Sequence, residues 1–287
     1  MVYIGISGWT YPKWRGVFYP EGLVQKKELY YASRAFHSIE INGTHYALQK
    51  PQSFQKWRDE TPDDFVFSVK ATRYITHIRR LNECAEPLAN FFASGLLVLG
   101  AKLGPILWQL PPSFRYDEDR LEAFLRLLPH RAHKAAALAR KHTLSEGRVW
   151  LEADEDRPIR HCMEVRHRSF LVPEFFEQLR RYKVAFVLAD TAGKWPYAED
   201  VTSDFMYLRL HGDAKLYVSG YTEEAISEWA ARIRQWKIGR QPGDAHLVTE
   251  RARPATGERD VFVYFDNDAK VKAPRDAKRL REVLGLD

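Results

Sequence analysis

Glu164 and Arg166 stand two residues apart in HCMEVRH, residues 161–167, a run in which Cys162, Met163 and Val165 suit the interior of a strand. Side chains alternate along a strand, so the carboxylate and the guanidinium share one face, opposite Met163, Val165 and His167. Buried charges are costly unless paired or hydrogen-bonded. The stretch therefore reads either as a structural ion pair or as part of a site that handles protons and anions.

The same design recurs at other strand ends. Ser7 and Trp9 share a face of the run 3–9, Glu40 and Asn42 share one in 38–42, and Lys70 closes 65–70. Gln109 is the polar residue before Pro111 and Pro112, Asp190 ends 184–190, and Tyr207, Arg209 and His211 share a face of FMYLRLHG. In 261–268, Tyr264, Asp266 and Asp268 alternate with Val263, Phe265 and Asn267. Arg166, Arg209 and Lys70 offer cationic donors, and arginine grips carboxylate or phosphate through two parallel hydrogen bonds, which points to an anionic substrate. Glu40 and Glu164 are the candidate acid and base, because burial raises a carboxyl pKa and a neighbouring arginine lowers it. His211 is the candidate for proton transfer near neutrality, a buried structural histidine being the competing reading. The substrate-binding set is then Ser7, Trp9, Asn42, Lys70, Gln109, Arg166, Asp190, Arg209, Tyr264, Asn267 and Asp268.

A divalent metal is the less favoured reading. Glu40, Glu164, Asp190, His211 and Asp268 are acceptable ligands, but arginines beside them oppose a dication and no HExxH-like pair is present. No cofactor is expected. Ser7 has no GxSxG elbow. Trp9, Tyr11, Trp14 and Tyr46 follow the first two strands and either stack on a sugar or base or pack beneath their loops. The basic run 131–142 reads as a solvated helix face before it reads as a track for a phosphate backbone.

Eight strands, separated mostly by helices near 26–36, 51–59, 85–100, 117–128, 132–141, 173–182, 222–236 and 275–284, match the count of a single (β/α)8 barrel of roughly 250 residues. Polar residues gather at the C-terminal strand ends, where such barrels carry their sites. There is no GxGxxG after the first strand, no Walker loop and no internal repeat. Residues 1–287 form one domain in this reading, with a polar Gly- and Pro-containing stretch at 239–259 as a mobile surface loop.

Composition agrees with a globular chain: 45% of the 287 residues are hydrophobic and 13% aromatic. No run approaches membrane-spanning length, and the first residues carry no signal-like segment, so the expected location is the cytoplasm. Two cysteines, Cys84 and Cys162, give no metal spacing or disulfide framework and read as buried thiols. A net charge of +6 mildly favours an anionic partner, with nucleic acid as one candidate.

The stretches GISGWTYPKWRGVFYP, LYYASRAFHSIEINGTHY, FVFSVKATRYITH, LGPILWQLPPSF, EVRHRSF, MYLRLHG and YFDNDAKVKAP occur in order along almost the whole chain. With them the sequence resembles the domain of unknown function 72 family, the YecE-like TIM-barrel proteins. The resemblance implies a single TIM barrel and brings no established reaction. The chain departs from the family pattern at Ile6, where members usually have Thr, at Phe170, where they have Trp, and at Asp266, where they have Asn. The last adds a carboxylate beside the site.

Three functional readings follow. The first is an enzyme, a hydrolase, lyase or isomerase, acting on a small phosphorylated or carboxylated molecule at the barrel mouth. The second is a nucleic-acid phosphodiesterase resembling TIM-barrel abasic-site endonucleases, and the third is a non-catalytic anion sensor.

Overall fold

The computed structural model describes residues 1–213, 216, 219–250, 257–267 and 271–286. Eight parallel strands close into a barrel in chain order: β1 (Val2–Ser7), β2 (Ser38–Ile41), β3 (Val66–Lys70), β4 (Leu103–Gln109), β5 (His161–Glu164), β6 (Val184–Asp190), β7 (Phe205–Leu210) and β8 (Asp260–Phe265). Among the described residues the α-helices are α1 (Glu28–Ala35), α2 (Gly43–Tyr46), α3 (Pro51–Glu60), α4 (Ala85–Ala93), α5 (Glu118–Leu125), α6 (Ala132–Ala139), α7 (Pro173–Arg181), α8 (Glu223–Lys237) and α9 (Lys272–Leu284). The chain is thus the single (β/α)8 barrel that its alternating pattern implies.

The period of two sorts each strand into two cores. Ile4, Ile6, Ile39, Ile41, Phe67 and Val69 point outward into a core shared with the helices. Leu107, Cys162, Val187, Tyr207 and Tyr264 point inward and fill the middle of the barrel. β1 passes so close to β2 that a Cβ on Gly5 would sit 1.8 Å from the Ser38 carbonyl oxygen, so this inward position admits only glycine.

Several boundaries are tighter than the sequence pattern implies. β5 stops at Glu164 rather than running through 167, because His167 turns to accept the Ser169 backbone N–H on Nδ1 and starts the short turn Arg168–Phe170. The helix expected over 85–100 ends as α4 at Ala93; Gly95 follows at φ 112, and tighter turns continue over Leu96–Lys102. A Cβ at Gly95 would meet Pro51 Cα at 2.6 Å, so the break also lets this segment pack against α3. β8 ends at Phe265, and Asp268 lies outside the described residues.

Residues 240–250 contain no helix or strand, as expected of the 239–259 stretch, yet they are tied down. The backbone N–H groups of Val248 and Thr249 donate to the buried Asp200 carboxylate at 2.7 and 3.0 Å, and Arg180 donates to Thr249 Oγ1 at 2.9 Å. Residues 251–256 lie outside the described residues. No helix among the described residues is long and apolar enough to cross a membrane.

Candidate functional site

Strand register decides which polar side chains meet. Ser7 stands beside Glu40 across β1 and β2, Gln109 beside Glu164 across β4 and β5, and Ala189 beside Arg209 across β6 and β7. All point inward at the C-terminal end. The small Ala189 leaves space for the guanidinium next to it.

Arg209 is fully buried and organises the group. Its Nε donates to Glu40 Oε2 at 3.0 Å and its Nη2 to Glu40 Oε1 at 2.9 Å. The other Nη2 donor reaches Asp266 Oδ2 at 2.9 Å, while Nη1 donates to Glu164 Oε2 at 2.8 Å and lies 3.3 Å from His211 Nε2. An arginine has five N–H donors, and five acceptors surround this one. Because a guanidinium cannot accept, His211 Nε2 must carry the lone pair and the ring proton must sit on Nδ1, which faces Asp266 Oδ2 at 3.2 Å.

The carboxylates are equally engaged. Glu40 also accepts from Ser7 Oγ at 2.9 Å and from the Tyr207 hydroxyl at 2.7 Å. Glu164 accepts from Gln109 Nε2 at 3.0 and 2.9 Å and from Arg166 Nε at 2.8 Å. Beneath them the Tyr264 hydroxyl meets Ser38 and Ser68 at 2.6 and 2.7 Å, which makes it the floor of the cluster. Burial alone would raise the Glu164 carboxyl, but Arg166 and Arg209 outweigh it and hold the group well below the usual carboxylate range. The same opposition, burial against Arg209 and His211, brings Asp266 down to about 2.

Lys70 stands apart. It is partly exposed at the end of β3, and its ammonium has no hydrogen-bond or ion-pair partner among the described residues. Burial and the Arg209 charge lower it to about 8, against the opposite pull of Glu40, Glu164 and Asp266. Three cations, Arg209, Arg166 and Lys70, thus face three carboxylates, Glu40, Glu164 and Asp266. Arg166 reaches outward over the Trp195 ring, 5.1 Å from its centre. His45 and His77, with rings 5.1 Å apart, are both lowered to about 4 by burial first and by Lys70 next. They therefore stand uncharged beside the lysine near neutral pH.

The structure brings together Ser7, Glu40, Lys70, Gln109, Glu164, Arg166, Arg209, His211 and, as a floor, Tyr264. It sends others elsewhere. Arg209, expected to clamp a substrate, has every donor occupied. His211 is fully enclosed, so any proton it moves passes within the cluster. Asp190 is in register with the outward Leu210 and accepts from the Tyr221 hydroxyl at 2.9 Å. Trp9 packs edge-on against Trp57 of α3, and Asn42 lines a cavity with Gly8, Trp9 and Trp57 outside the barrel. Asn267 donates to Asp276 of α9 at 2.8 Å and to the Ser219 carbonyl at 3.0 Å. For Asp190 and Asn267 the outward direction follows the alternation itself, whereas Trp9 and Asn42 lie past the ends of β1 and β2, where the alternation lapses.

Two members of the cluster are additions to the expected set, Tyr207 and Asp266. Their signal was present: 207, 209 and 211 share a face, as do 264 and 266. Among the described residues no group of three or more histidine, cysteine, aspartate or glutamate side chains is arranged to hold a metal ion. In the inner cluster the place between the carboxylates is taken by the Arg209 guanidinium.

The chain is 37% identical over 130 residues to the UPF0759 protein YecE of Escherichia coli K12, a match that spans 45% of each chain, so about half of that relative's length. It is 24% identical to the UPF0759 protein YunF of Bacillus subtilis across 100% of this chain and 96% of that one. A DUF72 family protein of Thermotoga maritima superposes with a TM-score of 0.73 at 25% identity, covering 99% of both chains. A second, from Enterococcus faecalis, gives 0.68 at 16% identity over 100% of this chain and 96% of that one and shares the fold. The family described as protein of unknown function DUF72 matches residues 3–287, and the chain belongs to it.

Proposed function

We propose that this chain is an enzyme acting on a small carboxylated or phosphorylated molecule at the C-terminal mouth of the barrel. The observation that carries this reading is Lys70, whose ammonium has no partner among the described residues although it stands beside a cluster in which the other charges are paired. Arg166 is the second cation at this face, and Arg73 adds a third charge felt by His45 and His77. An arriving anion would meet positive charge first. In this reading Arg166 and Lys70 hold the anion, Glu164 responds to it through Arg166, and Arg209 with Glu40 keeps the frame rigid.

Binding of inorganic phosphate, succinate and pyruvate, followed by calorimetry on the full chain, tests the reading. Lys70→Met and Arg166→Ala should each weaken binding about tenfold, the loss of one charged contact. Binding that both variants leave intact would sink it. Turnover of a bound molecule separates an enzyme from a non-catalytic sensor using the same cations.

A second reading, nucleic acid, rests on the exposed rings of Tyr46 and Tyr74, which line one cavity and offer faces for base stacking, in a wall where Arg79 is paired with Glu83 and Glu86 adds a second carboxylate. Titration with a single-stranded oligonucleotide at low salt tests it, since phosphate contacts are strongest there. No binding under that condition removes it.

A further inference from the structure

We propose that Lys70 is a nucleophile that forms an imine with the carbonyl carbon of an anionic aldehyde or ketone bound at the barrel mouth. This rests on the anion-binding reading above and names its substrate class. Four observations lead to it.

The first is position. Lys70 ends β3 on the inward face, in register with Leu107 and two residues beyond the inward Ser68, so its side chain rises from the barrel wall beside the cluster. The second is availability. Every other inward charged group of the cluster is held by at least one hydrogen bond, whereas the Lys70 ammonium has none among the described residues. A lysine kept only for its charge would be placed to donate to one of three nearby carboxylates.

The third is the charge balance. With Lys70 protonated, three cations meet three carboxylates; when it loses its proton the cluster is left one negative charge in excess. A protonated imine restores the positive charge on the same nitrogen. The carboxylates that are left in excess when the proton is lost favour the iminium that replaces the ammonium, as in the carbonyl chemistry of other nucleophilic lysines. The fourth is the neighbourhood: the rings of His45 and His77, 5.1 Å apart, are held neutral beside the lysine by burial first and the Lys70 charge next, so Arg166 and Arg73, not the imidazoles, draw an anionic carbonyl toward it.

The step balances without a co-reactant. The lone pair of the neutral ε-amine forms the C–N bond while the carbonyl π-electrons move to oxygen. Transfer of an amine proton to that oxygen gives the carbinolamine. One further proton from solvent lets the hydroxyl leave as water and yields the iminium. Arg166 meanwhile holds the carboxylate or phosphate of the same molecule.

The test uses the full chain with pyruvate or dihydroxyacetone phosphate, then borohydride, which reduces an imine to a stable secondary amine. Intact mass counts the adducts and peptide mapping locates them. The expected result is one adduct, on Lys70, formed at least about tenfold faster than on any other lysine and absent from Lys70→Arg. Equal labelling spread over surface lysines overturns the proposal. The neutral reagent 2,4-pentanedione, which condenses with reactive amines without needing an anion grip, serves as the second probe on the unmodified sequence. Lys70 labelled by the diketone but by neither anionic carbonyl overturns the anionic partner beneath the proposal. Lys70 labelled by none of the three overturns the imine itself.

Discussion

Arg209 grips both oxygens of Glu40, through Nε at 3.0 Å and Nη2 at 2.9 Å, and neither side chain has any exposed surface. Replacing a buried ion pair as a whole is often tolerated, but removing one partner strands the other. Arg209→Met takes the shared cation from three carboxylates, Glu40, Glu164 and Asp266, and leaves Glu40 buried with only the Ser7 and Tyr207 hydroxyls. The expected loss is about 3–5 kcal/mol in urea unfolding, the range for breaking a buried pair. A midpoint close to that of the parent would mean that Arg209 does not organise the cluster.

Gly5→Ala should be among the more damaging methyl additions in the barrel. The new Cβ would lie 1.8 Å from the Ser38 carbonyl oxygen, and that atom belongs to a backbone held in the sheet. Neither partner can turn aside. We expect a loss of about 3 kcal/mol or more, at the upper end of overpacking effects, or failure to accumulate folded protein. Circular dichroism and urea unfolding would read it, and a variant as stable as the parent would mean that β1 can move away from β2.

The contrast between Glu164 and Asp190 shows how far the sequence carries. Within strands the period of two is enough: Ser7, Glu40, Gln109, Glu164 and Arg209 come together as their alternation implies. The same alternation placed Tyr207 and Asp266 with them, although both look like ordinary strand residues until the partner across the barrel is known. Asp190 ends β6 in register with the outward Leu210, so the alternation itself turns it out, as it does Asn267, which stands opposite Asp266 and reaches α9. Past the last ladder hydrogen bond no periodicity fixes direction, so the loops decide. Trp9 goes to Trp57 for that reason. The pairing of charge is also illegible in one dimension, because Arg209 meets Glu40 across 169 residues of sequence.

Asp266 ties acid stability to the cluster. Its folded carboxyl is held at about 2, below the ordinary 3.8, so its contribution is present above about 3.8 and is lost as the pH falls toward 2. Asp266→Asn removes this component while leaving Arg209 with Glu40 and Glu164. Near pH 6 the variant should be less stable by about 2 kcal/mol, the linkage equivalent of such a shift. The two proteins should converge as the pH drops below 3. Urea midpoints between pH 2.5 and 6 would show it, and a constant gap across that range would assign the difference to packing instead.

Lys70 gives the opposite sign. Its folded pKa of about 8 lies below the ordinary 10.5, so between these values the unfolded chain holds more protons than the folded one and stability rises with pH. The groups that set this are burial and Arg209, which disfavour the charge, against Glu40, Glu164 and Asp266, which favour it; His45 and His77 feel the lysine in return. From pH 7 to 9.5 the parent should gain stability relative to Lys70→Met, whose methionine cannot titrate. Affinity for inorganic phosphate should move the other way, held below about pH 8 and falling above it as the ammonium is lost. Arg166 keeps its charge throughout, so residual binding above pH 9 should vanish only when Arg166→Ala is added. Phosphate affinity that is flat from pH 7 to 9.5 in the parent would take Lys70 out of the anion site, whatever its effect on stability.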